Sequence, residues 1–135
     1  MHIPIYNKEE CSMAYARRAL DWGLKELELS NWTGCVKFVI EGEYDAWIVY
    51  DDEGTLAFDI FIRDRECEKS NNGIGFLIFH ELVHLLLSEM MFFVKDNNII
   101  KNKVMLSFIT NNEEKICNVL GKSLYYKYQA IEEDE

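Results

Sequence analysis

The sequence predicts an α+β fold: an N-terminal helix, a small and largely antiparallel sheet of three or four strands, a long apolar helix and a C-terminal helix. Three observations carry this. Leu56, Phe58, Ile60 and Ile62 alternate with Ala57, Asp59, Phe61 and Arg63, the pattern of a strand with one side packed. The run Gly73–Val94, GIGFLIFHELVHLLLSEMMFFV, is apolar almost all round, as expected for a helix inside a domain. Apolar residues recur at helical spacing near both ends of the chain, at Cys11, Tyr15, Leu20, Leu24 and Leu27, and at Ile116, Cys117, Leu120 and Leu124. A chain of 135 residues, 49% hydrophobic and 13% aromatic, is long and apolar enough for one globular core.

In chain order, the first helix is expected over about Lys8 to Leu29. Asn7 offers an N-cap, with Glu10 three residues on in the capping-box position. Asn31-Trp32-Thr33-Gly34 breaks it. Strands are expected at Cys35–Ile40, Ala46–Tyr50 and Leu56–Arg63, and their short connections suggest a meander. Asp51-Asp52-Glu53-Gly54 reads as a turn. Asp64-Arg65-Glu66 and Ser70-Asn71-Asn72-Gly73 form a polar link into the long apolar helix. The stretch Lys95–Thr110 fits a loop, a strand or a flap. A last helix is expected from about Asn111 to Ala130, with Ile131–Glu135 frayed.

The chemistry lies in the apolar run. His80-Glu81-Leu82-Val83-His84 is an H-E-x-x-H pattern. Residues four apart in a helix lie one turn apart on one face, so both imidazoles can close on one Zn²⁺. Glu81 then stands beside the metal and can take a proton from water held there. The alternative is a buried helix with two satisfied histidines. Burying three ionisable groups without partners is costly, and a metal satisfies them together.

A catalytic zinc has three protein ligands and one open position. The extension H-E-x-x-H-x-x-G-x-x-H is excluded, because Leu87 stands at the glycine position and Met90 at the third histidine. His2 is isolated near a terminus. Glu89, nine residues from His80, lies about 180° round the helix. Glu113 and Glu114 remain. Both suit the dipole of a helix N-terminus, and Thr110-Asn111-Asn112-Glu113 fits a capping box that gives Glu113 a local task. Glu114 has no such task and is favoured over Glu113; Asn118, one turn on, could orient a ligand.

With these residues in place the chain resembles a known family. HELVH, followed on a later helix by Glu114-Lys115-Ile116-Cys117-Asn118-Val119-Leu120, resembles the gluzincin metallopeptidases, with their H-E-x-x-H and then E-x-x-A-[DN]-x-F. The short chain is similar to the minigluzincins, the ImmA/IrrE-type peptidases and small phage-encoded metallopeptidases. The resemblance covers about Leu56 to Leu124. Cys117 stands where alanine is usual, and Leu85 where many relatives have glycine. It implies a zincin-like fold with His80, His84 and Glu114 on Zn²⁺. It also implies Glu81 as general base and then proton donor to the leaving amine. An extended protein or peptide substrate would pair along the third strand, taken as the sheet edge. An additional donor is needed for the developing oxyanion. Tyr125 lies about 16 Å along the helix from Glu114, too far; Tyr126, Tyr128 and Tyr50 stand level.

The remaining signals narrow the class. A net charge of −10 argues against a nucleic-acid partner. MHIPIYNKEE lacks the pattern of a secretory leader. His80, Glu81, His84 and Glu89 make the Gly73–Val94 run expensive in hydrocarbon, so no membrane span is expected. Cys11, Cys35, Cys67 and Cys117 are scattered and read as reduced packing thiols of a cytoplasmic protein. Competing classes are a catalytically silent module with a structural zinc, a metal-free interaction protein, and a hydrolase of non-peptide amides.

Overall fold

The computed structural model describes residues 12–51, 55–63, 73–96 and 103–134. The elements are α1 (Met13–Glu26), β1 (Thr33–Val39), β2 (Ala46–Asp51), β3 (Ala57–Arg63), α2 (Gly73–Asp96), α3 (Lys103–Asn111) and α4 (Glu113–Asp134). The architecture is α+β: four helices and a three-stranded mixed sheet.

The sheet departs from the expected meander. Its order is β1-β3-β2, with β1 parallel and β2 antiparallel to β3. The strand with the strongest alternation takes the centre. Phe58, Ile60 and Ile62 of β3 are all buried, and a central position covers them from both sides. Val36 of β1 and Ile48 of β2 flank Ile60 in register. Gly34 faces Phe58, whose ring lies 2.5 Å from where a β-carbon would stand. On the opposite face, Trp47 stacks on Phe61 at 5.2 Å between centroids.

Ser12 caps α1, its hydroxyl accepting from the Tyr15 amide at 3.0 Å. That replaces the expected start near Lys8; Asn7 and Glu10 lie outside the described residues. The helix ends three residues before Leu29. Glu28 adopts the left-handed conformation (φ 56°), and the Leu29 amide donates back to the Leu24 carbonyl at 2.7 Å, which satisfies a carbonyl the helix would leave orphaned. Buried Leu29 anchors the turn.

The core helix is α2. Ile74, Ile78, Phe79, Leu82, Val83 and Leu85 are fully or almost fully enclosed. Gly23 of α1 lies against Phe79 and Leu82, with room for no β-carbon. By length and composition Gly73–Phe92 would also suit a bilayer span; here α1, the sheet and α4 pack around it.

Two stretches differ from expectation near the C-terminus. Within Lys95–Thr110, residues from Lys103 form α3. α4 continues to Asp134 rather than fraying after Ala130, because Glu132 is tied at two points: it accepts from Tyr128 Oη at 2.5 Å and pairs with Arg18 at 3.6 Å. Two expected polar stretches fall outside the described residues: positions 52–54 of the turn and the link 64–72.

Candidate metal centre

The centre sits on the seam between α2 and α4. Gly121 makes the seam close: a β-carbon there would stand 3.2 Å from the His80 Cα. No side chain separates the helices at that level, so the first turn of α4 reaches the imidazoles. The sequence carried this signal as a lone glycine inside a helical pattern, which points to a close approach.

The α-helical spacing stacks His80 and His84 with ring centroids 5.0 Å apart. His80, Glu81 and His84 form a group able to hold a metal ion, with one ligand atom from each and all within 4.8 Å of one another. The two glutamates of α4 divide between the nitrogens of His84. Glu114 Oε1 lies 2.7 Å from His84 Nε2, and its Oε2 lies 3.4 Å from His80 Nε2. Glu113 Oε2 lies 2.7 Å from His84 Nδ1 on the far side of the ring. Glu113 therefore does not close a capping box. Thr110 Oγ1 donates instead to the Leu106 carbonyl of α3 at 2.9 Å. In place of the capping task expected for Glu113, a long-range contact takes its carboxylate.

Imidazole and carboxylate donors suit a divalent metal ion. Two donors of a tetrahedral zinc at about 2.0–2.2 Å stand about 3.3–3.6 Å apart. The His80–Glu114 separation of 3.4 Å matches, and the His84–Glu114 separation is shorter, at hydrogen-bond length. Glu113 beside Nδ1 can accept that nitrogen's proton, the imidazole–carboxylate arrangement that leaves Nε2 as the nitrogen able to bind a metal. Burial, and then neighbouring His84, hold the His80 imidazole below its usual pKa against the opposing pull of Glu114 and a hydrogen bond with Asn118. A neutral imidazole is the form that binds metal. Burial pushes the Glu81 carboxyl up to about 7, with His84 opposing and Glu114 reinforcing. Cys117 beneath the seam is fully buried, and burial pushes its thiol up to about 12, so it packs as a small apolar residue.

The centre opens into a cavity of about 880 Å³. Its far wall is β2, contributing Ala46, Ile48 and Tyr50. β3 is therefore not the edge beside the centre, contrary to the expectation: it is the middle strand, and β2 is the edge. Tyr50 Oη lies 2.7 Å from Ser88 Oγ, which is one turn beyond His84. Of the tyrosines left level by the sequence, Tyr50 lines the cavity. Tyr128 is buried among Tyr15, Trp22 and Phe79, and Tyr126 is exposed on α4 without lining it. Tyr44 also lines the cavity and was not anticipated. Glu89 is bound to the Trp32 indole, in keeping with its exclusion as a ligand. His2 lies outside the described residues.

No protein-family model, no curated protein and no solved structure matches this chain. The class it can be assigned is set by the centre itself: an α+β protein with an H-E-x-x-H helix whose His80, Glu81 and His84 could bind a metal ion.

Proposed function

We propose that the protein is a zinc-dependent metallopeptidase of gluzincin type, acting on a narrow set of protein substrates. The observation that carries the proposal is the division of labour at His84: Glu114 on the metal-facing nitrogen and Glu113 on the other. In this reading His80, His84 and Glu114 hold the ion, and Glu113 orients His84. When bound, zinc supplies a Lewis acid that acidifies water and polarises a carbonyl.

The chain's own residues then do the following. Glu81, carboxylate-bearing and almost enclosed, takes the proton of the attacking water and passes it to the leaving amine. A carboxyl held near neutrality can do both. Tyr50, anchored by Ser88, presents its hydroxyl from the opposite wall and donates to the developing oxyanion. β2 pairs with β3 on one side, so its other side can add an extended peptide strand through backbone hydrogen bonds. Backbone pairing is blind to sequence, and selectivity then rests on a few side-chain pockets.

A structural zinc site is closed by four protein ligands. The proposed set uses three ligands, His80, His84 and Glu114, with Glu113 on the other nitrogen of His84, and so leaves the fourth position for water. The test is cleavage of a peptide library and a cell lysate by wild type and Glu81→Gln, each with and without chelator. The proposal expects chelator-sensitive cleavage by wild type, and a Glu81→Gln protein that keeps zinc but does not cut. Zinc-loaded wild type that cuts nothing in either pool would favour the silent module.

A further inference from the structure

A second cavity, of about 380 Å³, opens on the other side of the centre. It shares Ala46, His80 and Glu81 with the larger one. The two meet at His80 and Glu81, and together they form the two halves of the proposed substrate groove. The halves differ in charge. The larger carries Glu113 and Glu114 and no lysine or arginine among its lining residues. The smaller carries Lys122, on α4 one turn after Asn118 and two turns after Glu114.

His80 and Glu81 line both halves, and the polar groups confined to the smaller one are Asp45, Asn118 and Lys122. Asp45 is bound to Arg63. Asn118 hydrogen-bonds His80, and His80 faces Glu114. Among the described residues no carboxylate pairs with Lys122. One ammonium at one end gives the groove an electrostatic direction.

Strand geometry gives it a chain direction as well. β2 runs from Ala46, where the halves meet next to Asp45 of the smaller, to Tyr50, at the larger. Antiparallel pairing is the more stable per residue. A peptide added to β2 in that sense places its C-terminal half beside Ala46 and Lys122.

We infer that Lys122 is a specificity residue that receives a substrate carboxylate on the C-terminal side of the bond that is cut. This rests on the peptidase reading above. The carboxylate has two sources: the end of a chain, or an aspartate or glutamate side chain.

The experiment measures binding to zinc-loaded, full-length Glu81→Gln, so that affinity is read without cleavage. Four fluorescent peptides share one Ala/Leu core. One is neutral and amidated, one ends in a free carboxylate, one is amidated with Glu in its C-terminal half, and one carries Lys at that position. The same set is measured on protein that also carries Lys122→Glu or Lys122→Met, with zinc content checked for each. The inference expects the Lys122 protein to bind one or both carboxylate peptides about two- to fivefold tighter than the neutral one, the scale of a partly exposed ion pair. Lys122→Met should level that difference, and Lys122→Glu should reverse it toward the Lys peptide. Which carboxylate peptide responds identifies the source. Equal binding of acidic and neutral peptides, or a preference that survives Lys122→Glu, overturns the inference and leaves the peptidase reading standing. Failure of all four peptides to bind overturns the groove and the inference together.

Discussion

The two walls of the cleft are built in opposite ways. On the α2–α4 wall, Gly121 brings backbones into contact and almost every polar group has an assigned partner: His84 between Glu113 and Glu114, His80 between Glu114 and Asn118. On the opposite wall, Tyr44, just before β2, and Tyr50 of β2 are exposed, and the Tyr50–Ser88 hydrogen bond ties the strand to α2. The imidazoles of the α2–α4 wall are largely covered while the carboxylates that meet them reach solvent, and a wall whose polar groups are paired holds them in fixed positions. An exposed strand edge can accept another chain. Under the proposed function the first wall would carry chemistry and the second recognition, and substitutions on the two walls should differ accordingly.

The largest effect is expected from the acid facing both imidazoles. Glu114→Gln removes a charge from the proposed ligand set and should weaken zinc binding more than about a hundredfold, beyond the range for outer partners. Glu113→Gln should cost about 10–100-fold, because it loosens His84 without removing a ligand. Competition titration with a chromogenic chelator ranks the two. The reverse order would exchange their roles.

Gly121→Val comes next. Its side chain would be driven into the His80 backbone, and overpacking of this kind costs about 1–3 kcal/mol. Denaturant unfolding should show the loss, with weaker zinc binding because the first turn of α4 is pushed off the imidazoles. A variant as stable as wild type would show that the seam can give way without consequence.

The smallest effect belongs to the edge. Tyr50→Phe removes one exposed hydrogen bond, worth about 0.5–1.5 kcal/mol at most, and should leave zinc affinity unchanged. If Tyr50 serves the oxyanion, kcat falls while zinc content holds. An equal loss of zinc would place Tyr50 on the chemical wall instead.

The same contrast explains what could be read from the sequence. The His80–His84 pairing follows from helix geometry alone, since four residues fix one turn, and the structure brings the two imidazoles together as that spacing requires. Strand alternation likewise marked β3 and its buried face. Strand order did not follow, because it depends on which strand most needs cover from both sides, and that is settled by packing. Expecting β3 at the edge was the consequence. Glu113 was misread for a related reason: a local capping pattern competed with a partner 29 residues away, and nothing in the local sequence announces that partner. Tyr44 and Ser88 were missed because isolated tyrosine and serine residues carry no spacing rule.

The central claim is that the α2–α4 wall holds one zinc ion. It is tested most directly by elemental analysis of the protein after zinc loading and removal of loosely bound metal, beside His84→Ala treated in the same way. The account predicts one zinc per chain in wild type and none in a folded His84→Ala. A wild-type protein that retains none, or a variant that retains as much, would contradict it.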